Sequence, residues 1–173
     1  MGTYEAIAVV SQAILGILTQ EYKKTNLAKA AFTLFGTQDF TLQRSSMTAQ
    51  VSLFLYHVSP NVNIRNNMPA TGTPHHPNLS MDLHYMVTAW AMKPVRQQGL
   101  LGWTAQTLDK YPVISADELN RYVADSATRF SAEQGVQIIH ETSSWDVIAS
   151  LWSRLDAPYQ LSYTILARNV IMG

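Results

Sequence analysis

Apolar residues recur at three- and four-residue steps near the start of the chain. Ile7, Val10, Ile14, Ile17 and Leu18 form one stripe, widened by Ala6, Val9 and Ala13. This spacing predicts a helix over 4–21 that packs on a sheet, with Thr3 as its N-cap. A polar stretch follows over 23–30. Short strands are predicted over 31–35 and 40–42, separated at Gly36. Residues 49–58 alternate as a strand, with Val51, Leu53 and Leu55 on one face and Phe54, Tyr56 and Val58 on the other. Two apolar faces place that strand inside a covered sheet. A long strand is predicted over 79–92. Leu79, Met81, Leu83, Tyr85, Val87 and Ala89 lie on one side, and Ser80, Asp82, His84, Met86, Thr88 and Trp90 on the other.

Pro94 stops that strand. A helix is predicted over 97–110, with Leu100, Leu101, Thr104 and Leu108 inward and Gly102 as a point of close approach; Tyr111-Pro112 ends it. Ser115 and Glu118 have capping-box spacing, which predicts a short helix over 116–123. A polar loop over 125–134 leads to a strand over 136–141. Thr142 or Ser143 is the expected cap of a helix over 145–155. Ala157-Pro158 turns the chain into a last strand over 159–171, with Tyr159, Leu161, Tyr163 and Ile165 on one face. Long apolar strands with few crossover helices predict an α+β fold. Its core is a central mixed, largely antiparallel β-sheet flanked by α-helices, in a single domain over 1–173. The region over 59–78 reads as one long loop carrying Pro60, Pro69, Pro74 and Pro77, a length usual for functional or disordered segments.

Composition narrows the function. Lys plus Arg equals Asp plus Glu at 12 each, and the basic residues are dispersed, so no positive field draws the chain to nucleic acid. Only 14% of residues are charged, well below the usual quarter, which points to surface hidden against partners. Cys is absent, so disulfide and thiolate chemistry are excluded. Glu5, Ser11 and Gln12 interrupt the apolar start, against a signal peptide. No apolar run reaches membrane-spanning length, so no membrane insertion is expected.

The chemistry-bearing residues form few patterns. No Ser sits in a strand–turn–helix Gly-x-Ser-x-Gly context, and the glycines lack phosphate-loop spacing. His75-His76 lacks further ligands at metal spacing and reads as loop polarity. Asp82 and His84 share a strand face, the orienting half of a catalytic triad, yet no nucleophile accompanies them; the plainer reading is a polar sheet face. His57 and His140 read as hydrogen-bonded sheet residues. Trp90, Trp103, Trp145 and Trp152 lack the basic groove that a base-stacking platform needs. No cofactor or metal is expected.

Five segments, in order, resemble the tail-terminator (cap) family of phage-tail-like contractile injection systems. They are the first helix from Ile7 to Leu18; Val51-Ser52-Leu53-Phe54-Leu55-Tyr56-His57-Val58 with the following Arg65-Asn66; and the strand from Leu79 to Ala89. The fourth runs from Leu100-Leu101-Gly102 through Leu108 to Tyr111-Pro112-Val113-Ile114. The fifth joins Trp152-Ser153 to Pro158-Tyr159 and Leu161-Ser162-Tyr163. The resemblance implies a structural protein and not an enzyme. It implies a hexameric ring at the baseplate-distal end of the particle, seated on the inner tube protein, binding the last layer of sheath protein and ending growth. The particle would be assembled in the bacterial cytoplasm. A terminator must match the last head-to-tail surface without offering a copy of it. On that reading Asn63, Arg65, Asn66, Asn67, His75 and His76 of the long loop, and Lys93 and Arg96 of the turn before the second long helix, are candidate partner contacts. A baseplate or adaptor component of the same particle is the alternative within this class; a small hydrolase using Asp82 and His84 is the alternative outside it.

Overall fold

The computed structural model describes residues 4–42, 48–61, 79–124 and 129–172. Among these residues six strands form one sheet: β1 Ala31–Phe35, β2 Gln50–Pro60, β3 Leu79–Trp90, β4 Val113–Ile114, β5 Val136–His140 and β6 Ser162–Met172, in the order β1-β2-β3-β6-β5-β4. β1 runs parallel to β2, and every other neighbouring pair is antiparallel. The helices are α1 Ala6–Lys23, α2 Asp39–Leu42, α3 Pro94–Asp109, α4 Ala116–Asn120 and α5 Trp145–Arg154. This is the α+β arrangement that the alternation predicts.

α1, α3 and α4 cover one face of the sheet. The α1 stripe, with Val10, Ala13, Ile14, Ile17 and Leu18, meets Leu53, Leu83, Tyr85, Val87 and Ile165 in one large, mainly aliphatic core. Leu100 and Leu108 of α3 and Leu119 of α4 complete it. The buried Tyr85 hydroxyl shares a 2.8 Å hydrogen bond with Ser11, which satisfies both groups inside the core. α2 and α5 lie on the opposite face over a smaller, mainly aromatic cluster of Phe35, Phe40, Phe54, Met86, Ile148 and Trp152. Each indole there finds an acceptor: Trp90 Nε1 donates to Ser52 Oγ at 2.8 Å and Trp152 Nε1 to Ser162 Oγ at 3.0 Å.

Several expectations are corrected. Residues 40–42 belong to a helical turn, not a strand, because Asp39 Oδ2 accepts from Gly36 N at 2.7 Å and closes the chain into α2. α1 starts at Ala6 with Glu5 at its N-cap, and Thr3 lies outside the described residues. Ser144, not Thr142 or Ser143, caps α5, its side chain accepting from Val147 N. Ser59 and Pro60 continue β2, and the rest of the expected loop, 62–78, lies outside the described residues. Pro94 does more than stop β3: it opens α3 at a position where its missing N–H costs nothing. Gly102 gives no close approach, since a Cβ there would meet nothing within 4 Å. Tyr159 precedes β6 and packs on Trp145 and Trp152, while Tyr163 borders the aliphatic core.

Two bulges reset the alternation of the central strands. In β2 the register slips between Leu55 and His57, so Tyr56 is the extra residue and Val58 joins Val51, Leu53 and Leu55 on the helix-covered face. The pairing of β3 with β6 slips between Met81 and Leu83, which leaves Arg168 and Asn169 opposite Asp82. Asn169 takes a left-handed backbone with φ 65°, a conformation that asparagine tolerates better than most side chains.

Candidate functional site

The two bulges gather the polar side chains of β2, β3 and β6 on one patch of the sheet. Asp82 does not orient His84. Its Oδ1 accepts from Asn61 Nδ2 at 3.0 Å and from Asn169 N at 3.2 Å, and its Oδ2 lies 3.9 Å from Arg168 Nε. Asn61 Nδ2 also reaches Asn169 Oδ1 at 3.0 Å. The carboxylate thus holds the left-handed turn of β6 and the end of β2 together. Glu141, just past β5, takes the role expected of Asp82: its Oε1 lies 3.0 Å from His84 Nδ1. Ser59 Oγ lies 3.3 Å from His84 Nε2, and Tyr56 donates to Glu141 Oε2 at 3.4 Å. The rings of His57 and His84 stand 5.1 Å apart. Partial burial, and then the negative charge of Glu141, push the Tyr56 phenol up to about 12.

Ser59, His84 and Glu141 therefore follow the order of a nucleophile, a base and its orienting acid. Acyl transfer also needs donors that converge on the developing oxyanion. Ser59 lies inside a paired strand, where successive N–H groups point to opposite edges, so the backbone around it makes no such cradle. The array ties β2, β3 and the residue that follows β5 together. Neither Glu141 nor Ser59 stood out in the sequence. The spacing of Asp82 and His84 concealed that the β6 bulge claims Asp82, and Glu141 reaches His84 from a distant part of the chain.

His140 stacks on Tyr163 with ring centres 5.8 Å apart, and its Nε2 lies 4.0 Å from Asp109 Oδ1. Among the described residues no group of three or more His, Asp or Glu side chains is placed to hold a metal, and no helix is long and apolar enough to cross a membrane. The four tryptophans form no common platform. Trp90 and Trp152 belong to the aromatic cluster, Trp103 packs on Tyr22 and Phe32, and Trp145 stands exposed beside Tyr159.

Of the candidate partner contacts, Asn63, Arg65, Asn66, Asn67, His75 and His76 lie outside the described residues. Lys93 and Arg96 flank the first turn of α3. Lys93 is the N-cap residue of α3, its side chain unused as a cap. Arg96 Nη2 donates to Tyr22 Oη at 2.7 Å and to the carbonyl of Ala28, which fixes the guanidinium against the segment leading to β1. Beside them lies a hollow of about 360 Å³ lined by Leu27, Lys93, Val95, Arg96, Gly99, Leu100 and Trp103. Val95 is 82% exposed and the neighbouring Met92 76% exposed, so an apolar surface is open to solvent at this end of α3.

α1, α3 and α4 lie over one face of this mixed sheet, and α2 and α5 over the other. The family model described as the Pvc16 N-terminal domain matches residues 9–173, and the chain belongs to that family. Its fold is similar to that of a sheath/tube terminator from an extracellular contractile injection system, with a TM-score of 0.61 and 16% identity over 100% of this chain and 58% of the other. It is also similar to the tube-terminating cap of the anti-feeding prophage, with a TM-score of 0.58 and 12% identity over 95% of this chain and 54% of the other. The chain thus spans somewhat more than half the length of each of these structures. No curated protein matches the sequence. The resemblance read from the five ordered segments is borne out at the level of the family.

Proposed function

We propose that this chain is a structural tail terminator of a contractile injection system. It forms a ring, six-fold by analogy with the family resemblance, on the baseplate-distal end of the inner tube. It binds the last sheath layer and ends the growth of tube and sheath. Assembly takes place in the bacterial cytoplasm. The match of the family model over residues 9–173 carries this reading. Likeness to two solved proteins, one described as a sheath/tube terminator and one as a tube-terminating cap, supports it.

The physical features agree with such a role. Among the described residues β1 forms one edge of the sheet with a strand neighbour on one side only, an edge that another subunit could pair with. The low charged fraction suits a protein that buries surface in a ring and against a tube. The polar array around His84 has a structural use, so no catalytic role is proposed for it.

Removing the chain from an assembling particle tests the reading. Tails made without it should vary widely in length, and adding it back should restore one length, measured in electron micrographs. Uniform tails in its absence would defeat the proposal. Tails that stay uniform but lose their target-facing end would favour a baseplate or adaptor role.

A further inference from the structure

We propose that the hollow at the start of α3, together with the free edge of β1, is a docking surface for an extended segment of a different protein subunit, one that carries a bulky apolar side chain beside an acidic one. The inference rests on the terminator reading, because it presumes a protein partner in the assembled particle.

Three observations select this occupant. The first is shape and polarity: Leu27, Val95, Leu100 and Trp103 give the 360 Å³ hollow apolar walls of a size that accepts one large side chain. The second is charge. No lining residue is acidic, and among the described residues neither Lys93 nor Arg96 has a carboxylate partner. Arg96 is already oriented by Tyr22 and Ala28, so part of the entropy of fixing it has been spent before a ligand arrives. Two cations without a local counter-charge favour a carboxylate next to the apolar anchor. The hollow beneath α5 differs: its lining includes both Asp146 and Arg154, so it supplies its own counter-charge.

The third observation is continuity with the sheet edge. Leu27 and Ala28 sit just ahead of β1, and Trp103 of the hollow packs on Phe32 of β1 with ring centres 5.7 Å apart. A segment anchored in the hollow therefore lies beside β1 and can continue onto the edge of Ala31–Phe35, whose main chain, among the described residues, pairs only with β2. The exposed side chain of Leu34 adds an apolar contact along that edge. An extended segment uses both features, whereas a helix would use the hollow alone.

Photo-crosslinking in whole particles tests the proposal. Val95 is replaced by p-benzoylphenylalanine in the full chain, the particles are assembled with their tube and sheath proteins and irradiated, and crosslinked peptides are mapped by mass spectrometry. Val95 is exposed, so the replacement leaves the core intact. The expected product joins position 95 to an extended, acidic–apolar segment of another particle protein. Lys93→Glu should lower its yield by at least about fivefold, the size expected when a close charge pair becomes repulsive. A second site, Leu27→p-benzoylphenylalanine, should capture the same segment. Crosslinks only between copies of this chain, or to a segment without an acidic residue, would overturn the proposal. Uniform particles with no crosslink at either position would overturn it too, while leaving the terminator reading intact. A crosslink in particles whose length the chain does not control would overturn the terminator reading alone.

Discussion

The two faces of the sheet are built differently. The helix-covered face is a dense, mainly aliphatic core drawing on α1, α3 and α4, with Ile14, Leu53, Leu83 and Tyr85 nearly without solvent contact. The opposite face has a small aromatic cluster under α2 and α5 and, beside it, the hydrogen-bonded polar patch around Asp82 and His84. The first face determines whether the chain folds. The second leaves polar and aromatic groups at the surface, where they fix local geometry and remain available to neighbours.

Substitutions can break or sharpen that contrast. Leu83→Ala on the helix-covered face should cost about 4 kcal/mol, since the surrounding core cannot close over the cavity. Ile148→Ala, at the margin of the aromatic cluster, should cost about 2 kcal/mol because one side of that site can relax. Chemical denaturation of both variants measures the difference, and equal losses would remove the distinction between the faces.

Asp82→Ala should cost about 2 kcal/mol by leaving the Asn169 N–H without its acceptor and removing one acceptor of Asn61 Nδ2. Hydrogen exchange should speed up at the ends of β2 and β6 and stay unchanged in α1. Ser144→Ala removes the cap of α5 and should cost about 1 kcal/mol, seen as a lower unfolding midpoint.

The smallest effect is alkaline. Tyr56 is held up to about 12 in the fold against 10.0 for the free side chain, so the folded chain keeps this proton after the unfolded chain has lost it. Its contribution is complete below pH 10 and is lost as the pH rises from there towards 12. Burial also raises Tyr85 and Tyr163, which steepens the decline. Tyr56→Phe should flatten part of it in denaturation curves taken across this range, and an unchanged slope would show that Tyr56 is not involved.

Much of the fold was legible because the first helix and the long strands bury regular stripes. The α1 residues and the two faces of β3 follow directly from periods near 3.6 and 2. Ser115 caps α4 as the spacing predicts, its Oγ accepting from Glu118 N at 3.3 Å, while the Glu118 carboxylate pairs with Arg121 and does not close the box. The segment at 40–42 misled because Phe40 and Leu42 alternate like a strand, while the Asp39–Gly36 bond turns the backbone into a helix. Val58 was assigned to the wrong face because alternation assumes an unbroken ladder, and the extra residue Tyr56 reverses every side chain beyond it.

The candidate site was less legible. Asp82 and His84 were the right residues to notice, but their partners, Asn61, Asn169, Ser59 and Glu141, come from distant parts of the chain. Lys93 and Arg96 were visible as a basic turn; the hollow between Leu27 and Trp103 was not, because it exists only where α3 passes the segment before β1.

The sequence by itself determined the α+β class, the main helices and strands, the aliphatic stripes and the family, because these depend on local periodicity and on ordered motifs. Only the tertiary structure decided the strand order, the bulge registers, the pairing of His84 with Glu141 and the surface at the start of α3. Those features depend on which distant side chains meet, and that is set by the packing of the whole sheet and its helices.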